Sequence, residues 1–179
     1  MKSTYENTAA LGAAGKNLVM DFFREEGCLV ADLTRIEDYA NKSIDFMLTD
    51  KSQTSTVCVR TDAKTWETGN IVLETLMCRR NSQKLVPGWF FTCQAEILAY
   101  LDAYSGNLYF IDWELLKEAV NHNDIGYRWN FTNRIDSNTI GQVHIVPIHD
   151  LNFSPSLKTI LKLDVSSLQN YIWEKPLPF

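Results

Sequence analysis

The stretch from Ile44 to Glu74 (IDFMLTDKSQTSTVCVRTDAKTWETGNIVLE) constrains the fold more than any other part of the chain. Its pattern predicts three short strands joined by polar turns, each carrying a carboxylate. Asp45 lies on the first, Asp62 at the end of the second, and Glu74 on the third, beyond a Thr68-Gly69-Asn70 turn. An acid inside an apolar strand is costly unless something compensates its charge. Three such acids close in sequence therefore suggest a site, and a divalent metal is the natural occupant. The plainer alternative is that each carboxylate caps a strand or faces water.

Within Thr56 to Asp62 the side chains alternate, so Val57, Val59 and Thr61 share one face and Cys58, Arg60 and Asp62 the other. Lys64 would join the second face if the strand ran on regularly. Beyond Glu74, Cys78-Arg79-Arg80-Asn81-Ser82-Gln83-Lys84 is the one basic cluster, and Pro87-Gly88 then breaks the chain.

Around this centre the remaining pattern is that of an α/β domain. Leu11, Leu18, Val19, Phe22 and Phe23 predict a helix over about 8–26, stopped by Gly27. Residues 28–33 form a strand candidate, and 35–42 a turn or loose helical segment. A hairpin is expected over 97–113, turned at Ser105-Gly106, followed by a helix over 113–121. Residues 127–135 are aromatic and extended in pattern, 141–148 make another strand, and the tail reads as helical from 154 to 163 and again near 165–173. With no repeat, linker or low-complexity segment, the 179 residues are expected to form one domain.

Composition excludes several function classes. No segment approaches the roughly 20 apolar residues that cross a bilayer, and the N-terminus lacks the apolar run of a signal peptide. Cysteines 28, 58, 78 and 93 show no C-x-x-C spacing, so thiols in a reducing cytoplasm are expected rather than a zinc knuckle or redox pair. A net charge of −5 argues against a general nucleic-acid coating protein but leaves room for a local basic groove. Residues Ser43-Ile44-Asp45-Phe46, the strand ending Arg60-Thr61-Asp62, and Thr68-Gly69-Asn70-Ile71 with Glu74 resemble a phage-type branch of the PD-(D/E)XK (restriction-endonuclease-like) nuclease superfamily. Gly88, Thr92, Ala95-Glu96 and residues 143–151 extend the resemblance, which spans about 12–151 and leaves 152–179 as a helical tail.

The resemblance implies a central mixed sheet flanked by helices and a Mg²⁺-dependent (or Mn²⁺-dependent) DNA endonuclease of phage or mobile-element origin. Hard oxygen ligands would hold the metal, which activates water and stabilises charge on the phosphate. The family's Glu-x-Lys falls on Cys58-Val59-Arg60, however, and arginine does not substitute for a water-orienting lysine. Two readings stay open. In one the site has migrated, with Asp45, Asp62 and Glu74 as metal ligands, Lys64 as the catalytic cation, and Arg60, Arg79, Arg80 and Lys84 against DNA phosphates. In the other catalysis is lost, Arg60 pairs structurally with Asp62 or Asp45, and the fold binds a host protein, for example as a defence-system inhibitor. Dimerisation is common among such nucleases, but no interface is legible.

Other signals are weaker. His122, His144 and His149 make no H-E-x-x-H motif. Gly12-x-x-Gly15-Lys16 is too short for a phosphate loop and reads as a small-residue helix segment. Trp89, Phe90 and Phe91 suit core packing better than base stacking. Tyr127, Trp129 and Phe131 share a strand face that could bind or pack.

Overall fold

A long helix, α1 (Thr4–Glu25), opens the computed structural model, which describes residues 4–51, 53–79, 84–131 and 139–172. Leu11, Val19, Met20 and Phe23 are buried along one side of it, and Gly27 at φ 83° ends it in the left-handed conformation that glycine adopts without strain. There follow β1 (Leu29–Asp32), the single turn α2 (Glu37–Ala40), β2 (Phe46–Asp50) and β3 (Gln53–Asp62). Another single turn, α3 (Thr65–Thr68), leads to β4 (Asn70–Arg79) and β5 (Lys84–Pro87). The turn α4 (Trp89–Thr92) precedes β6 (Ile97–Asp102), β7 (Asn107–Asp112) and α5 (Trp113–Asn121). Last come β8 (Tyr127–Phe131), β9 (Thr139–Pro147), α6 (Ile148–Leu151), β10 (Leu157–Lys162), a 3-10 turn at Ser166–Leu168 and α7 (Gln169–Ile172).

The strands form two sheets. The central one has six strands in the order β1-β2-β3-β6-β7-β10, all antiparallel except the parallel pair β3–β6. The second has four, ordered β5-β4-β9-β8. As the pattern predicts, this is a single α/β domain with a mixed central sheet flanked by helices. Strand alternation divides the core: Val57, Val59, Ala99 and Leu101 face α1, whereas Cys58, Leu98 and Tyr100 face the second sheet and α5. All six residues of β6 are buried, as a central strand covered on both faces requires. The predicted helix over 113–121 is present, capped by the Asp112 carboxylate, which accepts from Leu115 N at 3.2 Å.

Glu74 lies on a strand as expected, β4, which belongs to the second sheet and pairs with β9. Two expectations are corrected. The β3 strand stops at Asp62, whose carboxylate accepts the Lys64 backbone N–H at 2.7 Å and turns the chain into α3, so Lys64 never joins the strand face. The tail is not wholly helical, because Leu157–Lys162 is a strand. The outer edge of β7 offers unpaired backbone groups, and pairing Ile160 with Tyr109 and Leu161 with Leu108 satisfies them.

Candidate functional site

Asp45 immediately precedes β2 and completes its junction with β3. The β2–β3 ladder ends at Phe46–Val57, and the Asp45 N–H extends it by one bond to Val57 O at 2.8 Å. The next N–H facing that edge, on Val59, has no strand partner there. The Asp45 carboxylate supplies one: Oδ2 accepts from Val59 N at 2.7 Å. Its other oxygen, Oδ1, lies 2.6 Å from Lys16 Nζ. The carboxylate is nearly inaccessible, at 7% exposure, whereas the lysine side chain keeps 31%. A buried carboxylate held by a cation and a backbone donor satisfies the condition for keeping charge inside a fold.

Lys16 reaches this point because α1 packs tightly on β3. A β-carbon at Gly15 would stand 2.0 Å from Thr61 Oγ1, so only glycine allows the approach. The Gly12-x-x-Gly15-Lys16 segment is thus helical, as expected. Sequence reasoning missed the lysine's role, since no local pattern connects it with Asp45.

On the opposite face of β3, Arg60 turns inward. Its guanidinium carbon lies 4.7 Å from the ring centroid of Trp89, and Nη1 donates to Val59 O at 3.0 Å. Its Nε is buried with no hydrogen-bond partner among the described residues. Burial opposes the charge, but Cys58, Asp45, Cys93 and Glu74 together hold the arginine pKa above its ordinary value. Trp89 itself stacks on Trp113 with centroids 5.5 Å apart, so the expected core packing of the Trp89-Phe90-Phe91 segment holds for Trp89 and for the buried Phe90, whereas Phe91 is 61% exposed.

Asp62 belongs to a separate polar group. Its carboxylate accepts from the Lys64 N–H and, at 2.9 Å, from the Tyr100 hydroxyl, which in turn accepts from Val72 N at 3.3 Å. Burial, followed by the Asp62 charge, pushes the Tyr100 pKa well above the usual phenol range. Glu74 is half-buried on β4, where Gly88 packs on its carbonyl.

The structure therefore brings Asp45 and Glu74 into the electrostatic surroundings of Arg60, while Asp62 is engaged with Tyr100 and Lys64. Among the described residues, no group of three or more His, Cys, Asp and Glu side chains is placed to hold a metal ion. Asp45 has one carboxylate oxygen on a lysine and the other on a backbone N–H, a poor fit to a hard cation that needs several open oxygen ligands. Lys84 lies exposed on β5. Arg80, and the side chains of Arg79, Trp129 and Phe131, lie outside the described residues. No helix among the described residues is long and apolar enough to cross a membrane.

The chain matches no protein-family model and no curated protein. Among solved structures it is similar to a bacterial homing endonuclease, I-Ssp6803I, with a TM-score of 0.47 and 17% sequence identity over 62% of this chain and 72% of that one.

Proposed function

We propose that this chain is a restriction-endonuclease-like protein that acts by binding a protein partner rather than by hydrolysing DNA. The observation that carries this reading is the Lys16–Asp45 contact of 2.6 Å, in which a cation of the chain itself sits where a metal ligand would need to be open. The charge of Arg60, which interacts with Asp45 and Glu74, points the same way, because it offsets the carboxylate repulsion that would otherwise draw in a divalent ion. Cys58, in place of a glutamate, offers no hard oxygen. A net charge of −5 opposes binding to duplex phosphate. Trp66 and Tyr104, stacked at 4.3 Å and both substantially exposed, offer the aromatic anchors common in protein interfaces.

The second reading is a Mg²⁺- or Mn²⁺-dependent DNA endonuclease with Asp45, Asp62 and Glu74 as ligands. It is favoured by the burial of a carboxylate, Asp45, at the junction of β2 with β3. Lys16 contacts Asp45, whereas Lys64 meets Asp62 through its backbone. Calorimetric titration of Mg²⁺ and Mn²⁺ into the protein, beside Asp45→Ala and a DNA cleavage assay, separates the two. No heat of binding and no cleavage are expected. Saturable metal binding that disappears in Asp45→Ala, accompanied by cleavage, would overturn the binding-protein reading in favour of the nuclease.

A further inference from the structure

An open groove of about 490 Å³ lies between the outer side of α5 and residues 149–155. On α5 the spacing of Leu115, Glu118, Ala119 and His122 brings the four onto one face, turned away from the buried Leu116 and Val120. Leu115 is 41% exposed. Across from it Phe153 is 79% exposed, with its ring centroid 5.1 Å from that of His149. Large apolar side chains left open to water on both sides of one depression mark a docking surface rather than a solvated face.

The charged lining is of one sign. Glu118, Asp124 and Asp150 supply three carboxylates, and no lysine or arginine lines the groove. Among the described residues Glu118 and Asp124 form no ion pair, and Asp150 meets only the imidazole of His149, at 3.4 Å. These acids do not make a metal centre, because no three metal-binding side chains converge among the described residues. We propose that this groove docks a basic amphipathic segment of a partner protein. Its apolar side chains seat between Leu115 and Phe153, and its lysines or arginines face Glu118, Asp124 and Asp150.

Charge decides among the occupants. Nucleic acid and an anionic membrane are repelled by an acidic lining. A second copy of this chain carries a net charge of −5 and is a poor complement. A basic segment meets both requirements, since apolar burial supplies affinity while the carboxylates steer its approach and fix its register. The groove is separate from the Trp66–Tyr104 pair: α5 begins where β7 ends, whereas Tyr104 precedes the start of β7. The inference rests on the partner-binding reading and assigns the partner a chemistry.

The test uses the full chain and a fluorescein-labelled leucine–lysine peptide patterned as an amphipathic helix, with binding followed by fluorescence anisotropy. Saturable binding that weakens with added salt is expected. Phe153→Ala and Glu118→Lys, both at exposed side chains, should each weaken it about tenfold. The same peptide with glutamate in place of lysine should not bind. No binding to the wild type, equal binding of the glutamate peptide, or wild-type affinity in either variant would overturn the proposal. So would a loss of binding in Trp66→Ala that Phe153→Ala does not share, a result that keeps the partner-binding reading and moves the surface. Failure of that reading itself is seen separately, as metal-dependent DNA cleavage that Asp45→Ala abolishes.

Discussion

Gly15 and Thr61 touch so closely that a β-carbon on the glycine would stand 2.0 Å from the threonine Oγ1 and 2.9 Å from its Cβ and Cγ2. The first of these clashes is far inside any van der Waals contact, so α1 would have to move off β3. Gly15→Ala is expected to destabilise the fold by about 1–3 kcal/mol, despite alanine's better helix propensity. Thr61→Ala removes Oγ1 and Cγ2 and should restore part of that loss in the double variant. Denaturant unfolding of the two single variants and the pair reads both effects.

Displacing α1 also displaces Lys16, which links packing to the electrostatics of the centre. Lys16→Met leaves Asp45 buried without its cation and should cost about 2 kcal/mol, below the usual figure for a fully buried pair because the lysine is 31% exposed. In Lys16→Met/Asp45→Asn the charge imbalance disappears, so the double variant should lose clearly less stability than the sum of the two single variants. A double-mutant cycle by urea unfolding measures the coupling; additive losses would show that the ion pair contributes nothing.

Arg60 depends on Trp89 for its contact surface. Arg60→Met keeps much of the apolar stem and eliminates an orphaned buried donor, so it should be tolerated better than Arg60→Ala, which leaves a void beneath Trp89 and should cost about 2–4 kcal/mol. Thermal unfolding of the two variants provides the comparison. An alanine variant no less stable than the methionine variant would mean that Trp89 does not rely on this packing.

His144 gives the fold a pH dependence. It is buried on β9 with Nε2 3.2 Å from Ile125 O, and burial holds its pKa below 6.5, with Arg128 adding to the effect against the opposing hydrogen bond. In the unfolded chain the imidazole titrates near 6.5, so between that value and its lower folded pKa the unfolded state binds more protons. The contribution to stability is complete above about pH 6.5, declines as the pH falls below it, and levels off below the folded pKa. Chemical denaturation across this range should show the decline in the wild type, and His144→Gln should remove that component.

The features legible in the sequence are those that depend on local period. Alternation in Val57, Cys58, Val59 and Arg60 assigned the two faces of β3, and the apolar spacing of Leu115, Leu116 and Val120 marked α5, although Leu115, expected to face inward, is 41% exposed. What escaped depends on contacts between distant segments. No local signal leads Lys16 to Asp45. The sheet to which Glu74 belongs is decided by the pairing of β4 with β9. The six residues of β10 contain two lysines and a threonine and have little pattern of their own; the open edge of β7 makes them a strand.

The parallel junction of β3 with β6 carries a consequence for how the molecule is assembled. The β2–β3 and β6–β7 hairpins are local and can form early, but each supplies only part of the central sheet. Joining them requires the chain to return from an excursion that holds β4 and β5, with β4 itself needing the still later β9. Thr56 and Glu96, 40 residues apart, latch the return: the Glu96 carboxylate accepts from Thr56 N at 2.7 Å while Thr56 Oγ1 accepts from Glu96 N at 3.0 Å. Long-range closure of this kind bears its entropy cost before the ladder can offset it, which makes for slow folding. Until the latch closes, the apolar edges of both hairpins are open to other chains, and it is in this interval, rather than in the native state, that the protein is most prone to aggregate.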